Sequence, residues 1–260
     1  MVSTRLQGKR ALVTGATSNI GRAIAIAFAT EGAHVIVSGR DIDRGALVVD
    51  DIRAAGGRAD FVAAHLDGSA QASGDLAAEA TRILDGGIDV LVNNAGIYPG
   101  SATAATDEAT FDEVYAVNVK APFFLTAAIA PAMAERGSGA IINLGSWIAR
   151  IGIPIGSLYS STKGAMETLT RAWSAEFGPA GVRVNAISPG VVKTPAPEQP
   201  SSVDVDPAEV MMRGTPAGSS GTPDAVAYAA VYLASDEAAF VHGTVIDVDG
   251  GRVGVAVIAA

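Results

Sequence analysis

Tyr159 and Lys163 stand four residues apart, a spacing that suits proton transfer. On a helix both side chains project from one face, one turn apart. A free tyrosine has a pKa of about 10 and is a poor base near neutrality. A cation one turn away favours the phenolate and is expected to bring that pKa down. Tuned in this way, Tyr159 could give a proton to an oxygen or take one from it. A Tyr-x-x-x-Lys string also occurs on ordinary helix surfaces, so its surroundings must decide. The segment Val117-Asn118-Val119-Lys120-Ala121-Pro122 is a second feature. In an α-helix the carbonyl of residue 118 bonds the N–H of residue 122, and Pro122 has none. That carbonyl must find another donor, unless the helix merely kinks there. The turn Thr14-Gly15-Ala16-Thr17-Ser18-Asn19-Ile20-Gly21 is the third. Glycines between a strand and a helix let the backbone approach a phosphate at the helix's positive end, although an ordinary βα turn reads the same way.

The elements that must position these residues alternate along the whole chain. Short apolar runs at Ala11–Val13, Val35–Val37, Phe61–Ala64, Val90–Val92, Ala140–Leu144, Val182–Ile187 and Val245–Val248 are rich in β-branched residues and bounded by Gly, Asn or Asp. They read as buried strands. Helical patterns fill the intervals near 20–31, 42–55, 70–84, 107–136, 158–178 and 223–235. Such alternation predicts an α/β fold, a doubly wound parallel sheet with helices on both faces. No composition shift marks a boundary, so residues 1–260 are expected to form a single domain. The stretch 193–222 is irregular, with five prolines and several Gly and Ser. Residues 195–218 within it are expected to form a mobile substrate lid.

Taken together, the motifs resemble those of the short-chain dehydrogenase/reductase family. Thr14–Gly21 resembles its T-G-x-x-x-G-x-G turn. Asn93-Asn94-Ala95-Gly96 follows the fourth strand, Tyr159-x-x-x-Lys163 sits on a helix, and Pro189-Gly190 with Thr194 follows the sixth strand. The order and spacing match from Gly8 to about Gly251. The resemblance implies a Rossmann-like single domain with seven strands that binds NAD(H) or NADP(H) and oxidises alcohols or reduces carbonyls. It implies a catalytic set of Asn118, Ser146, Tyr159 and Lys163. Ser146 closes the fifth strand thirteen residues before Tyr159, and its hydroxyl would polarise the substrate oxygen. The Asn118 carbonyl would hold a water in a proton relay, and Lys163 would tune Tyr159 and hold the ribose. Cofactor contacts are implied for Gly15, Thr17, Ser18, Asn19, Ile20, Gly21, Arg40, His65, Leu66, Asn93, Ala95, Gly96, Tyr159, Lys163, Pro189, Gly190, Val192 and Thr194.

Two positions depart from the pattern. Asn19 stands where the family usually has Gly, and Asn tolerates positive φ better than most residues. Ala64-His65-Leu66 falls where an Asp usually reaches the adenine, so either His65 or Asp67 could take that part. At the end of the second strand, Gly39 replaces the acidic residue common in NAD-preferring members, and Arg40 follows. Arg suits phosphate geometry, so NADP(H) is expected to be preferred and NAD(H) accepted, with Asp41 weakening Arg40 and Ser18 adding no second charge. Trp147, Ile97, Tyr98, Ile153, Pro154, Met211 and Met212 suggest an apolar substrate pocket.

Composition narrows the classes. A net charge of −9 argues against nucleic acid and anionic membranes as partners. No run of about 18 uninterrupted apolar residues offers a membrane span. The absence of cysteine excludes thiolate metal sites and fits a reducing, cytoplasmic location. His34 and His242 lack a partner at ligand spacing, and no metal is expected. The expectation is an oxidoreductase acting on a small-molecule ketone or secondary alcohol, and a homo-oligomer, tetramer or dimer. A dinucleotide-sensing regulator without turnover is the alternative from another class. An enoyl reductase of the same fold is disfavoured by the four-residue Tyr–Lys spacing.

Overall fold

The seven apolar runs pair side by side in the order β3-β2-β1-β4-β5-β6-β7, and every pairing is parallel. The strands are β1 (Arg10–Val13), β2 (His34–Gly39), β3 (Arg58–Ala63), β4 (Val90–Asn93), β5 (Gly139–Leu144), β6 (Val182–Pro189) and β7 (Val245–Val248). The computed structural model describes residues 4–154, 156–193 and 206–256. The helices are α1 (Asn19–Thr30), α2 (Ile42–Ala54), α3 (Ala70–Ile83), α4 (Glu108–Tyr115), α5 (Ala121–Glu135), α6 (Ser157–Phe177), α7 (Pro207–Met212) and α8 (Pro223–Ala234).

Strands buried on both faces need apolar side chains on both faces, which is why they read as runs rather than as alternation. One core joins Val13, Val35, Val37, Val92 and Ile142 to Ile24 and Phe28 of α1, Val48 and Ile52 of α2, and Val226 and Val231 of α8. The other joins Leu12, Ile36, Leu91, Ile141 and Val184 to Leu76 of α3, Leu125 and Met133 of α5, and Met166 and Trp173 of α6. The sheet order reverses between β1 and β4, so the loops leaving their carboxyl ends diverge and open a crevice there.

Three findings differ from the sequence reading. The stretch 193–222 is not wholly irregular, because α7 forms within it and Val192 bridges Gly221. Asp206 accepts from the Ala208 N–H and caps this helix, and Pro207 stands at its first position, where its fixed φ suits a helix start. Of the expected lid, residues 195–205 lie outside the described residues, as does Thr194. The predicted helix 107–136 is continuous but changes pitch. Residues Ala116–Lys120 form a π turn in which the Ala121 N–H bonds the Ala116 carbonyl. Pro122 withdraws a donor there, and a wider turn absorbs the mismatch. Glu108–Glu135 also reaches a mean hydropathy of 1.3, enough by length and composition to cross a membrane, yet α5 packs its buried side against the sheet.

Candidate active site

A cleft of about 440 Å³ lies over the carboxyl ends of β1, β2 and β4. The turn after β1 forms its floor. Gly15 has φ +62, and a Cβ on it would lie 2.9 Å from the Ala95 Cα. A Cβ on Gly21 would strike the Gly15 carbonyl at 2.3 Å. Asn19 adopts φ 47, so the residue at the unusual position takes the left-handed conformation a glycine would take. Helices α2, α3 and α4 are capped by Asp41, Ser69 and Asp107, whereas Ser18 makes no side-chain cap at the start of α1. The first turn of α1 opens onto a cleft lined by Thr17, Ser18, Asn19, Ile20 and Gly21. This is a cradle suited to an anionic group.

The turn is braced from β4. Asn94 donates through Nδ2 to the carbonyls of Thr14 (2.8 Å) and Gly15 (3.1 Å). Its own N–H and that of Ala95 donate to the Thr14 hydroxyl at 3.0 and 3.1 Å. Asn93, named with it from the sequence, does not line the cleft. It is buried, donating to Asn143 Oδ1 on β5 at 2.9 Å and to Thr126 Oγ1 at 3.3 Å. Neighbouring residues on a strand point to opposite faces, so only one asparagine of the pair can serve the cleft.

The β2 end of the cleft is lined by Gly39, Arg40, Asp41 and Arg44, and His65 and Leu66 line it nearby. Asp41 does not neutralise Arg40. It caps α2 and accepts from the Arg44 N–H (2.9 Å) and Nε (2.6 Å), bonds that hold its carboxyl below the usual carboxylate range. Asp67 turns away from the cleft and accepts from the Ser69 N–H at 2.8 Å. Arg44, Asp41 and Asn94 were not singled out as cleft residues from sequence. The only signal for the first two was an Asp three residues before an Arg at a helix start.

The other end holds the proton-transfer candidates. Tyr159 lines the cleft with Ala95, Gly96 and Ile97. Its ring stands 4.8 Å from that of Tyr98, and Lys163 Nζ lies 5.5 Å from the Tyr159 ring centroid. Lys163 is 5% exposed and donates to the Leu144 carbonyl at 2.8 Å. Burial brings its pKa down to about 8. The Tyr159 pKa is not lowered as the spacing suggested. Burial pushes it up to about 12, against a lowering interaction with the Ser146 hydroxyl, and Tyr98 adds to the rise. Desolvation penalises the phenolate more than a cation facing the ring rather than the hydroxyl can favour it. Ser146 ends the strand-to-helix bend after β5, where its Oγ accepts from the Ile148 N–H at 3.5 Å.

Asn118 lies in the π turn, and its side chain is fully engaged. Nδ2 donates to the Ile97 carbonyl (3.0 Å) and to Thr162 Oγ1 (3.1 Å), and Oδ1 accepts from the Ile97 N–H (2.8 Å). This clamp ties the loop after β4 to α6 one residue before Lys163. A Cβ on Gly96 would lie 3.6 Å from Lys163 Nζ, so the loop passes directly over the lysine. Pro189 ends β6, Gly190 and Val192 follow it, and none of the three lines the cleft. Of the apolar set, Trp147 and Met212 are buried, Ile97 lines the cleft, and Tyr98 and Met211 are exposed.

Residues 15–252 match the family model described as enoyl-(acyl carrier protein) reductase. A galactitol 2-dehydrogenase (L-tagatose-forming) from Cereibacter sphaeroides is 42% identical over 95% of this chain and 96% of its own length. The chain belongs to the short-chain dehydrogenase/reductase family. As a short-chain dehydrogenase/reductase it is an oxidoreductase that interconverts an alcohol and a carbonyl with a nicotinamide dinucleotide. Among solved members of the family, a 7α-hydroxysteroid dehydrogenase complexed with NADH superimposes with a TM-score of 0.87 at 34% identity, covering 98% of each chain. A protein described as an NAD(P)-dependent gluconate 5-dehydrogenase from Beutenbergia cavernae, with NADP at low occupancy, superimposes with a TM-score of 0.87 at 37% identity, covering 96% of this chain and 98% of its own. One fold thus accompanies either dinucleotide in these neighbours.

Proposed function

We propose that this short-chain dehydrogenase/reductase uses Tyr159 as the acid/base, Lys163 and Ser146 as its partners, and NADP(H) in preference to NAD(H). The carrying observation is that a single cleft has Tyr159 at one end and Arg40, without an ion pair among the described residues, at the other, with the first turn of α1 between them. The fit to a dinucleotide is good at each point. The α1 amides suit a pyrophosphate, Arg40 suits a phosphate on the adenosine ribose, and His65 rather than Asp67 faces the adenine side. A bound nicotinamide supplies the hydride to a carbonyl carbon, or accepts it from an alcohol carbon.

The chain's own residues handle the oxygen. In reduction Tyr159 gives its proton to the oxygen as charge develops there, and the Ser146 hydroxyl donates a hydrogen bond to it. In oxidation Tyr159 takes the proton from the alcohol. A phenolic pKa near 12 keeps the proton in place until an acceptor arrives. Lys163 remains largely protonated at neutrality with a pKa near 8, and its charge steadies the phenolate left after transfer. Asn118 keeps the loop of Gly96 and Ile97 against α6, holding the wall of the site in register with Tyr159.

Further parts of this reading are a single domain over residues 1–260, a cytoplasmic site of action, which the absence of cysteine fits, and a homo-oligomer. The oligomer is supported by Phe123, which is 43% exposed, and by the exposed Ala127, Ala128 and Pro131 on α5. A panel of ketones and secondary alcohols, run with both dinucleotides and followed at the nicotinamide absorbance, tests the activity. Turnover with at least one carbonyl compound is expected, faster with NADPH. Tight dinucleotide binding without turnover of any of them would favour a sensor instead.

A further inference from the structure

The β2 end of the cleft carries two arginines, and they differ in how they are held. Arg40 is exposed and makes no hydrogen bond or ion pair among the described residues. Arg44 is bracketed. Asp41 takes its main-chain N–H on Oδ1 and its Nε on Oδ2, at 2.9 and 2.6 Å. A guanidinium presents five N–H donors, and this bracket uses only the one on Nε. Both Nη groups remain for a ligand, on a side chain that is 58% exposed and lines the cleft. The bracket therefore orients a fork rather than consuming it.

The same wall offers a bare ribose one carboxylate, Asp41, and Arg44 already engages it. Both Asp41 oxygens already accept from Arg44. A carboxylate at position 39 has no room, since a Cβ there would lie 2.6 Å from the Thr17 Cγ2. Two donor-rich cations, with the one carboxylate beside them already engaged by Arg44, suit a phosphate monoester.

We propose that Arg44, oriented by Asp41, is a second specificity-determining arginine that joins Arg40 in binding the 2′-phosphate of the dinucleotide. This inference rests on the reading of the cleft as a dinucleotide site. Each arginine supplies charge-assisted hydrogen bonds at an exposed position, so each is expected to contribute about tenfold in affinity.

Calorimetric dissociation constants for NADPH, NADH, adenosine 2′,5′-bisphosphate and adenosine 5′-monophosphate test it. The proteins are the parent, Arg44→Gln, Arg40→Ala and the double variant. Neither side chain is buried, and the Arg44 N–H that Asp41 caps is retained, so all four are expected to fold. Arg44→Gln should weaken NADPH and the bisphosphate about tenfold and leave NADH and the monophosphate within about twofold. The double variant should bind the two dinucleotides alike. A parent that prefers NADPH, with Arg44→Gln unchanged, overturns the role of Arg44 and leaves the dinucleotide reading intact. Equal parent affinities for NADPH and NADH overturn the phosphate subsite. A parent that binds no probe overturns the dinucleotide reading and this inference together.

Discussion

Burial at Tyr159 has a direct kinetic consequence at the scale of single residues. With its pKa pushed up to about 12, the tyrosine is an acid at rest, and alcohol oxidation must remove a proton that reduction already has in hand. Oxidation is therefore expected to accelerate as pH rises toward about 8, above which Lys163 loses its charge, while reduction stays flat before declining. Tyr159→Phe removes one hydroxyl and keeps the ring beside Tyr98. It should cost at least about 10²–10⁴-fold in turnover, the usual worth of general acid–base help, while the dinucleotide still binds. Activity within a few-fold of the parent would remove Tyr159 from the chemistry. Position 39 yields a second expectation. Gly39→Asp would introduce the ribose acceptor of NAD-preferring members, but its Cβ meets the Thr17 Cγ2 at 2.6 Å, and a β-branched side chain cannot easily swing clear. Alone it should impair both dinucleotides. Combined with Thr17→Ala, which leaves only the Thr17 Cβ at 3.6 Å, it should turn the preference toward NADH. Even about 1.4 kcal/mol of relieved contact gives tenfold in NADH affinity over the single variant. An NADH affinity no better in the double than in the single variant would show that Thr17 is no obstacle.

At the scale of elements, the bend after β5 that carries Ser146 is tied down by Arg150. Its guanidinium donates to both oxygens of Asp247 on β7, and its Nε lies 3.5 Å from Glu167 Oε1 on α6, one turn beyond Lys163. Glu167 is 7% exposed, and beyond this ion pair its Oε1 has no hydrogen-bond partner among the described residues. Burial raises its pKa above the ordinary glutamate value, with Arg150 pulling the other way. Ionising this group costs more in the folded chain than in the unfolded one. The parent should thus lose stability as pH climbs from the unfolded glutamate pKa of about 4.3 through the raised folded value. Glu167→Met removes that cost. It should gain within about 1–3 kcal/mol, the cost of an unpartnered buried acceptor, measured by denaturant titration at pH 8. The gain should shrink at pH 4, where the group is mostly protonated in both states of the parent. An equal gain at both pH values would assign the effect to packing instead. Such a cluster was invisible in the sequence, because Arg150, Glu167 and Asp247 come from three elements that meet only in the fold. The elements themselves were legible: all seven apolar runs became strands, since two-sided burial writes itself as an uninterrupted β-branched run. Pro122 likewise announced the break near Asn118 through its missing N–H. What could not be read was side-chain pairing across space. His34 looked unpartnered, yet its Nε2 meets Asp60 on the adjacent strand at 2.7 Å. The Asp41–Arg44 bracket depends on the cap geometry of α2 and not on residue type alone.

For the whole molecule, the question is what covers α5. From Ala121 to Ala134 the helix has no charged side chain. Its inner side, with Leu125, Ile129 and Met133, is fully consumed by the core beneath the sheet. Its outer side leaves Phe123, Ala127, Ala128 and Pro131 in solvent, and the Phe123 ring leans on Trp173 of α6, 6.0 Å away. Small residues flanking one aromatic let another helix approach closely, and a charge-free face imposes no desolvation penalty for ions. A second copy of this chain is the expected partner, since its own α5 would offer the matching surface and a two-fold contact is self-complementary. The net charge of −9 per chain opposes this association at long range. If apolar burial drives it, screening that repulsion with salt should strengthen assembly rather than weaken it. Light scattering at micromolar concentration should therefore give a small multiple of 26.1 kDa, a tetramer or a dimer, and the mass should hold or rise as ionic strength increases. Phe123→Glu puts a buried charge into each copy of the contact and should drive the mass down while leaving the fold, read by circular dichroism, unchanged. A parent that scatters as a 26.1 kDa monomer would leave the α5 face solvated. A multimer that survives Phe123→Glu would move the contact to another surface, such as the α8 side, where Tyr228 is 67% exposed.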